Sequence, residues 1–168
     1  MNAVEMLLVA FDDAFGHRWE SLRDALDGVT DEVSRWQPPA YADEPHAEGV
    51  GVPGTIAWHV HHLLHCHRHY AEALQQRPAR PKTPPPGEMP WPTVKVALEA
   101  ANVALRARLA ALSPADLDQP CRGDERVGAF VAMFTRHAAW HAAQIKQTRR
   151  LHAHAVGERP VSGRGAVA

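Results

Sequence analysis

Apolar positions recur every three or four residues over four stretches of the chain, and each stretch predicts an amphipathic helix. In the first, Leu7, Phe11, Phe15, Trp19, Leu22 and Leu26 form one stripe, which predicts a helix from about Ala3 to Asp27 that stops at Gly28. In the second, Ile56, Val60, Leu63, Leu64, Ala71 and Leu74 share a face from Ile56 to Leu74, with Thr55 as N-cap behind Pro53-Gly54. The third follows Trp91-Pro92-Thr93 and runs to Leu112, on Val94, Leu98, Ala101, Leu105, Leu109 and Leu112. Ser113, Pro114 and Asp116 then predict one short helical turn. The fourth, from about Glu125 to Leu151 with Asp124 as N-cap, carries Val127, Val131, Phe134, Ala138, His141 and Ile145.

No stretch alternates apolar and polar residues for long enough to predict a sheet. Four amphipathic helices of this length predict an all-α protein built as a four-helix bundle. Residues 1–156 read as one domain, and 157–168 as a small, glycine-containing flexible tail. Pro78, Pro81, Pro84, Pro85, Pro86, Pro90 and Pro92 crowd the connection between the second and third helices. Extended at ~3.1 Å per residue, about 14 such residues span ~43 Å. A helix of ~20 residues is ~30 Å long. The connection can therefore run the length of the bundle as a crossover between parallel helices. The connection from Val29 to Gly54 is also long, and long aperiodic connections tend to carry function or disorder.

Composition narrows the function. The chain has 168 residues, 45% hydrophobic and 22% charged, with Lys+Arg 18 against Asp+Glu 19 and a formal charge of -1. A core of this size needs no metal or disulfide merely to fold, and the balanced charge argues against a nucleic-acid binder. The apolar run Met6 to Phe11 is short and leads into Asp12 and Asp13, so it is neither signal peptide nor membrane span. A soluble cytoplasmic protein without membrane contact is expected. Cys66 and Cys121 are the two cysteines and form no CxxC, which excludes a disulfide scaffold and a zinc ribbon.

Histidine is over-used: 12 residues, six of them between His59 and His69. His137 and His141 fall on the apolar face of the fourth helix, one turn apart, and can hold one metal ion together. A third ligand must come from another helix. The second helix offers His59, His61, His62, His65, His67 and His69, with Cys66 among them. His61, His65 and His69 read as an exposed polar row. The helical wheel puts His67 nearest the middle of the apolar stripe and His62 to one side, near Cys66, so periodicity does not choose the third ligand. His-Glu-x-x-His, Glu-x-x-His, glycine-rich phosphate loops and Gly-x-Ser-x-Gly are absent. Arg149, Arg150 and Lys146 read as a solvated helix end.

Three stretches give the chain a family resemblance. Ser34-Arg-Trp36-Gln-Pro38-Pro39 looks like a Trp-Pro element ahead of the second helix. Thr55-Ile56-Ala-Trp58-His-Val-His-His62-Leu63 matches a Ser/Thr-Ile helix start with a ligand His seven residues on. His137-Ala-Ala-Trp-His141-Ala-Ala-Gln144-Ile145 matches a His-x-x-x-His-x-x-Gln-Ile helix, and Leu112 to Asp118 resembles the connection before it. In order and spacing, over about residues 5 to 151, the chain resembles the DinB/YfiT-like superfamily of metal-dependent four-helix bundles. The resemblance implies an up-down-down-up bundle and a homodimer. It also implies His62, His137 and His141 as ligands of zinc, nickel or a similar divalent ion. Some relatives are thiol S-transferases that use low-molecular-weight thiols such as bacillithiol or mycothiol.

Three neutral imidazoles leave an ion's charge uncompensated and a coordination position open, as catalytic sites do. The expected function is a metal-dependent thiol S-transferase or hydrolase acting on a small electrophile. The competing functions are a non-catalytic metal-binding stress protein, with His61, His65 and His69 as a metal sink, and a helical interaction module. Gln144 reads as a hydrogen-bonding group behind the ligands, and Trp140 as a packing or dimer contact.

Overall fold

The computed structural model describes residues 1–39, 50–77, 81–82, 84–85 and 87–157. The expected flexible tail lies, from residue 158 on, outside the described residues, as do residues 40–49 of the Val29 to Gly54 connection. Helix dominates. In chain order the elements are α1 (Ala3–Gly16), α2 (Leu22–Leu26), α3 (Asp31–Arg35), α4 (Ile56–Gln75), α5 (Trp91–Ala110), a 3-10 turn (Pro114–Asp118), β1 (Pro120–Arg122), β2 (Glu125–Arg126) and α6 (Val127–Ala155).

The helix starts follow from their caps. Asn2 accepts the Glu5 N–H at 3.0 Å while the Glu5 carboxylate accepts the Asn2 N–H at 2.7 Å, a reciprocal pair that satisfies two orphan donors of α1. Thr55 accepts the Trp58 N–H at 3.1 Å and starts α4 where the sequence predicts. Pro92, in the first turn of α5, needs no N–H there. The turn expected at Ser113 forms, with Asp116 bonded back to the Ser113 backbone and hydroxyl.

Three expectations are corrected. The first predicted helix is two helices, because the chain leaves helical geometry at His17 and re-enters at Ser21. Glu20 takes a φ of 60° there, and local side chains supply the backbone's partners: Ser21 donates to the His17 carbonyl, and Asp24 accepts the Glu20 N–H. Trp19, placed in the apolar stripe by periodicity, is consequently 55% exposed. The fourth helix begins at Val127, with Arg126 and not Asp124 in the N-cap position and no side-chain cap bond. The residues before it form a small antiparallel hairpin of β1 and β2, turning through Gly123 at a φ of 55°. Five strand residues are too few to show alternation, so periodicity had no means of seeing them. Finally, α3 forms inside the connection read as aperiodic, capped by Thr30 through the Val33 N–H.

One apolar core joins α1, α2, α4, α5 and α6. Phe11, Leu22, Leu63, Leu64, Leu105, Phe130, Phe134 and Ile145 are almost wholly buried, and each such side chain contributes about 1.5–3 kcal/mol by leaving water. Phe134 meets Phe11 edge-on and Tyr70 face-on. Along α4 and α6 the partners run in opposite numerical order: Gly54 with Thr148, His59 with His141, His62 with His137, and Tyr70 with Phe130. Along α1, α2 and α6 they run in the same order, Phe11 with Phe134 and then Asp24 with Lys146. Among the described residues no helix is long and apolar enough to cross a membrane.

Candidate metal centre

The register of α4 on α6 sets His62 against His137 and His141. His62 Nε2 lies 3.2 Å from His137 Nε2, which lies 3.0 Å from His141 Nε2. All three ligand atoms fall within 4.8 Å of one another. The one-turn spacing predicted for His137 and His141 is thus met, and the structure brings His62 to them.

The donor set fits a divalent ion. Metal–nitrogen bonds of ~2.0–2.1 Å in tetrahedral geometry set ligand nitrogens about 3.4 Å apart, close to the separations found here. Two imidazoles can share one proton between them, but a third Nε2 aimed at the same point gains no proton of its own. A cation satisfies all three lone pairs at once. The rings are also kept neutral, as ligation requires. Burial pushes the His137 pKa down to about 4, helped by His62 and Lys82. Burial pushes His141 further down, helped by His59, His137, His62 and His67.

The opposite ring nitrogens are held as well. His141 Nδ1 lies 2.8 Å from His59 Nδ1, and His137 Nδ1 lies 3.2 Å from the Tyr70 hydroxyl. When Nε2 offers its lone pair to an ion, Nδ1 carries the proton and donates it to these partners, which fixes ring orientation and raises ligand basicity. Trp58 stacks on His62 at 5.3 Å with rings 12° apart, and Trp140 stands edge-on to His141 at 4.7 Å. Cys66 Sγ is 3.4 Å from His62 Nε2, and Lys82 Nζ is 3.5 Å from that sulfur.

The remaining histidines of α4 differ from the sequence reading. His67, favoured by the wheel, is not in the cluster. It is fully buried, packed on Phe15 at 4.9 Å, and neither ring nitrogen has a hydrogen-bond partner among the described residues. Burial pushes its pKa down to about 3, with smaller effects of His137 and His62. The row His61, His65 and His69, expected to be exposed, is buried. The chain entering α5 covers part of that face. His61 donates from Nδ1 to the Ala57 carbonyl and accepts the Met89 N–H at Nε2, which occupies both its nitrogens. Burial lowers the His69 pKa, with Lys82 adding to the effect.

Sequence reasoning counted His59 only among the possible third ligands and gave no role to Tyr70. His59 is three residues before His62, a spacing that shares a helix face, and that is the one signal that marks it. Tyr70 lies two turns beyond His62 within an apolar stripe and carries no local signal.

Fold and centre together define a helical protein with a candidate three-histidine metal centre. A family model of the DinB superfamily matches residues 14–145, which takes in all three histidines, and the chain belongs to that superfamily. No curated protein and no solved structure matches the chain.

Proposed function

We propose that this is a divalent-metal enzyme, a thiol S-transferase or hydrolase acting on a small electrophile, with His62, His137 and His141 holding zinc or nickel. One observation carries the reading: three neutral imidazole Nε2 atoms converge from two helices. An ion held by three neutral ligands acidifies a bound water or thiol, and so supplies a nucleophile near pH 7. The chain's own part is to orient and to exclude water. His59 and Tyr70 fix the His141 and His137 rings, while Trp58 and Trp140 flank the ligand side chains. The cluster itself contains no carboxylate, so a proton must pass by way of solvent, the incoming nucleophile or a neighbouring side chain.

The reading includes an up-down-down-up bundle of α1, α4, α5 and α6. Its support is the contact order along α4 and α6 and along α1 and α6, together with Met89, at the entry to α5, bonding to His61 near the start of α4. A homodimer, a cytoplasmic location and a low-molecular-weight thiol as co-substrate complete it. The metal-sink alternative loses its main support, because His61 has both nitrogens engaged and its row is buried.

Elemental mass spectrometry on tag-free protein tests the centre. The expected result is one ion per chain, lost in His62→Ala, His137→Ala and His141→Ala and kept in His61→Ala. A wild type that stays metal-free when zinc and nickel are offered, or a triad variant that keeps its ion, overturns the reading. Loaded protein is then assayed with small thiols and electrophiles for loss of thiol and for hydrolysis.

A further inference from the structure

We propose that the open face of α1 and α6 is the surface through which two copies of this chain pair, about a two-fold axis that runs along the helices. The proposal rests on the homodimer named above and says which face forms it.

A groove of about 660 Å³ lies between α1 and α6, beside the turn into α2. Ala10, Ala14, Ala132 and Ala139 line it, two from each helix. Alanine reaches one carbon beyond the backbone, so the groove is a furrow into which the longer side chains of another helix can pack. Its surroundings are apolar. Met6 and Val9 share the helix face of Ala10 and Asp13, and both are exposed. Trp19 lines the groove, and Trp140, 51% exposed, follows Arg136 by one turn of α6. These are the two exposed tryptophans of the chain; the other three are wholly or partly covered. Tryptophan left in water at the edge of a furrow is the residue that most often anchors a protein interface.

Charge names the occupant. Asp13 and Glu20 line the α1 side of the groove and Arg136 the α6 side, all three exposed. The two helices run in the same direction, and Phe11 meets Phe134 between them at 5.9 Å. Asp13 comes two residues after Phe11, and Arg136 two residues after Phe134. At ~1.5 Å of rise per residue the acid and the base therefore stand at one height along the bundle.

Half a turn about an axis parallel to the helices keeps every residue at its height. It lays α6 of the second copy over α1 of the first, and α1 over α6. Asp13 of each copy then faces Arg136 of the other, an isologous contact with two ion pairs. Turning the second copy head to foot instead sets α1 on α1 and brings like charges together. The apolar residues agree with the parallel arrangement. Val9 and Ala132, each two residues before the phenylalanine of its helix, meet across the axis. Trp140, six residues past Phe134, comes to the height of His17, six past Phe11, beside Trp19.

Sedimentation equilibrium of the tag-free full chain tests the face, with circular dichroism to show that each variant is folded. Wild type is expected to be a dimer. Asp13→Arg and Arg136→Asp each set like charges face to face, and each should raise the dimer dissociation constant about 100-fold. The double variant restores opposite charges and should return to within about tenfold of wild type. Val96→Glu with Val103→Glu, on the exposed side of α5, should leave the dimer intact. A dimer indifferent to both single charge changes, or lost in the α5 variant, overturns this face and leaves the homodimer standing. Single variants that dissociate without rescue in the double overturn the two-fold arrangement proposed. A wild type that stays monomeric overturns the face and the homodimer together.

Discussion

His141 and His59 meet through their Nδ1 atoms at 2.8 Å, buried between α6 and α4. The pair places a hydrogen-bond acceptor directly behind a candidate ligand. Removing such an acceptor characteristically weakens metal binding 10–100-fold. His59→Ala is therefore expected to retain its fold and lose about that much zinc affinity, measured by competition with a chelator. His59→Gln, whose amide oxygen can accept the same proton, should recover part of it. Equal affinity in all three proteins would show that the contact does not orient the ligand.

His67 carries the pH prediction. In the folded chain its pKa is pushed down to about 3, against 6.5 ordinarily. Below pH 6.5 the unfolded chain takes up a proton that the folded chain refuses. Stability of the metal-free protein is thus full above pH 6.5 and falls toward pH 3, by about 1.4 kcal/mol per pH unit for this residue. His137 and His141 shift in the same direction and steepen the fall. Urea unfolding at pH 7 and pH 5 should show His67→Leu losing about 2 kcal/mol less than wild type between the two.

The same substitution should raise stability at pH 7. A buried polar group without a hydrogen bond costs about 1–3 kcal/mol, and Leu fills a similar volume without that cost. A fall in stability at pH 7 would mean that the imidazole is hydrogen-bonded in solution.

His61 ties the chain entering α5 to the first turns of α4, through the Met89 N–H at 2.9 Å and the Ala57 carbonyl at 2.8 Å. His61→Phe strands the Met89 donor and is expected to cost about 1–3 kcal/mol. Metal content should not change. Loss of the ion in this variant would show that the α4–α5 connection holds the centre in register.

Thr55 offers a simpler test. Its hydroxyl caps α4 at the Trp58 N–H and donates to the Val52 carbonyl at 2.7 Å. Thr55→Ala should cost about 1 kcal/mol, read as a lower melting temperature, while Thr55→Ser should be near neutral.

The three long helices that carry or flank the centre were legible because apolar recurrence persists over many turns, and at the starts of α4 and α5 a cap or a proline marks the boundary as well. Elements of five residues or fewer were not, except the Pro114–Asp118 turn, which its Ser-Pro-x-Asp cap announces. α2, α3 and the β1–β2 hairpin owe their form to side-chain bonds and a turn glycine, which leave no period in the sequence. The His137 and His141 pair was readable from spacing. The choice of His62 was not, since the middle of an apolar stripe points to the core, where His67 lies, while a site is built at the stripe's edge, where another helix brings its own donors. Only the family resemblance pointed to His62, and the structure sets that residue with the pair. The burial of His61, His65 and His69 depends on chain remote in sequence from α4, which a single helical wheel does not contain.

His62 and His137 are 75 residues apart in sequence yet face each other across the core. An ion gripping both is a cross-link as well as a reagent, and it exists only in the folded chain. Free ion at 1,000 times its dissociation constant would add about 4 kcal/mol to folding. Lifetime of the protein would then track the supply of metal, and a chain deprived of its ion would be the one first delivered to proteolysis.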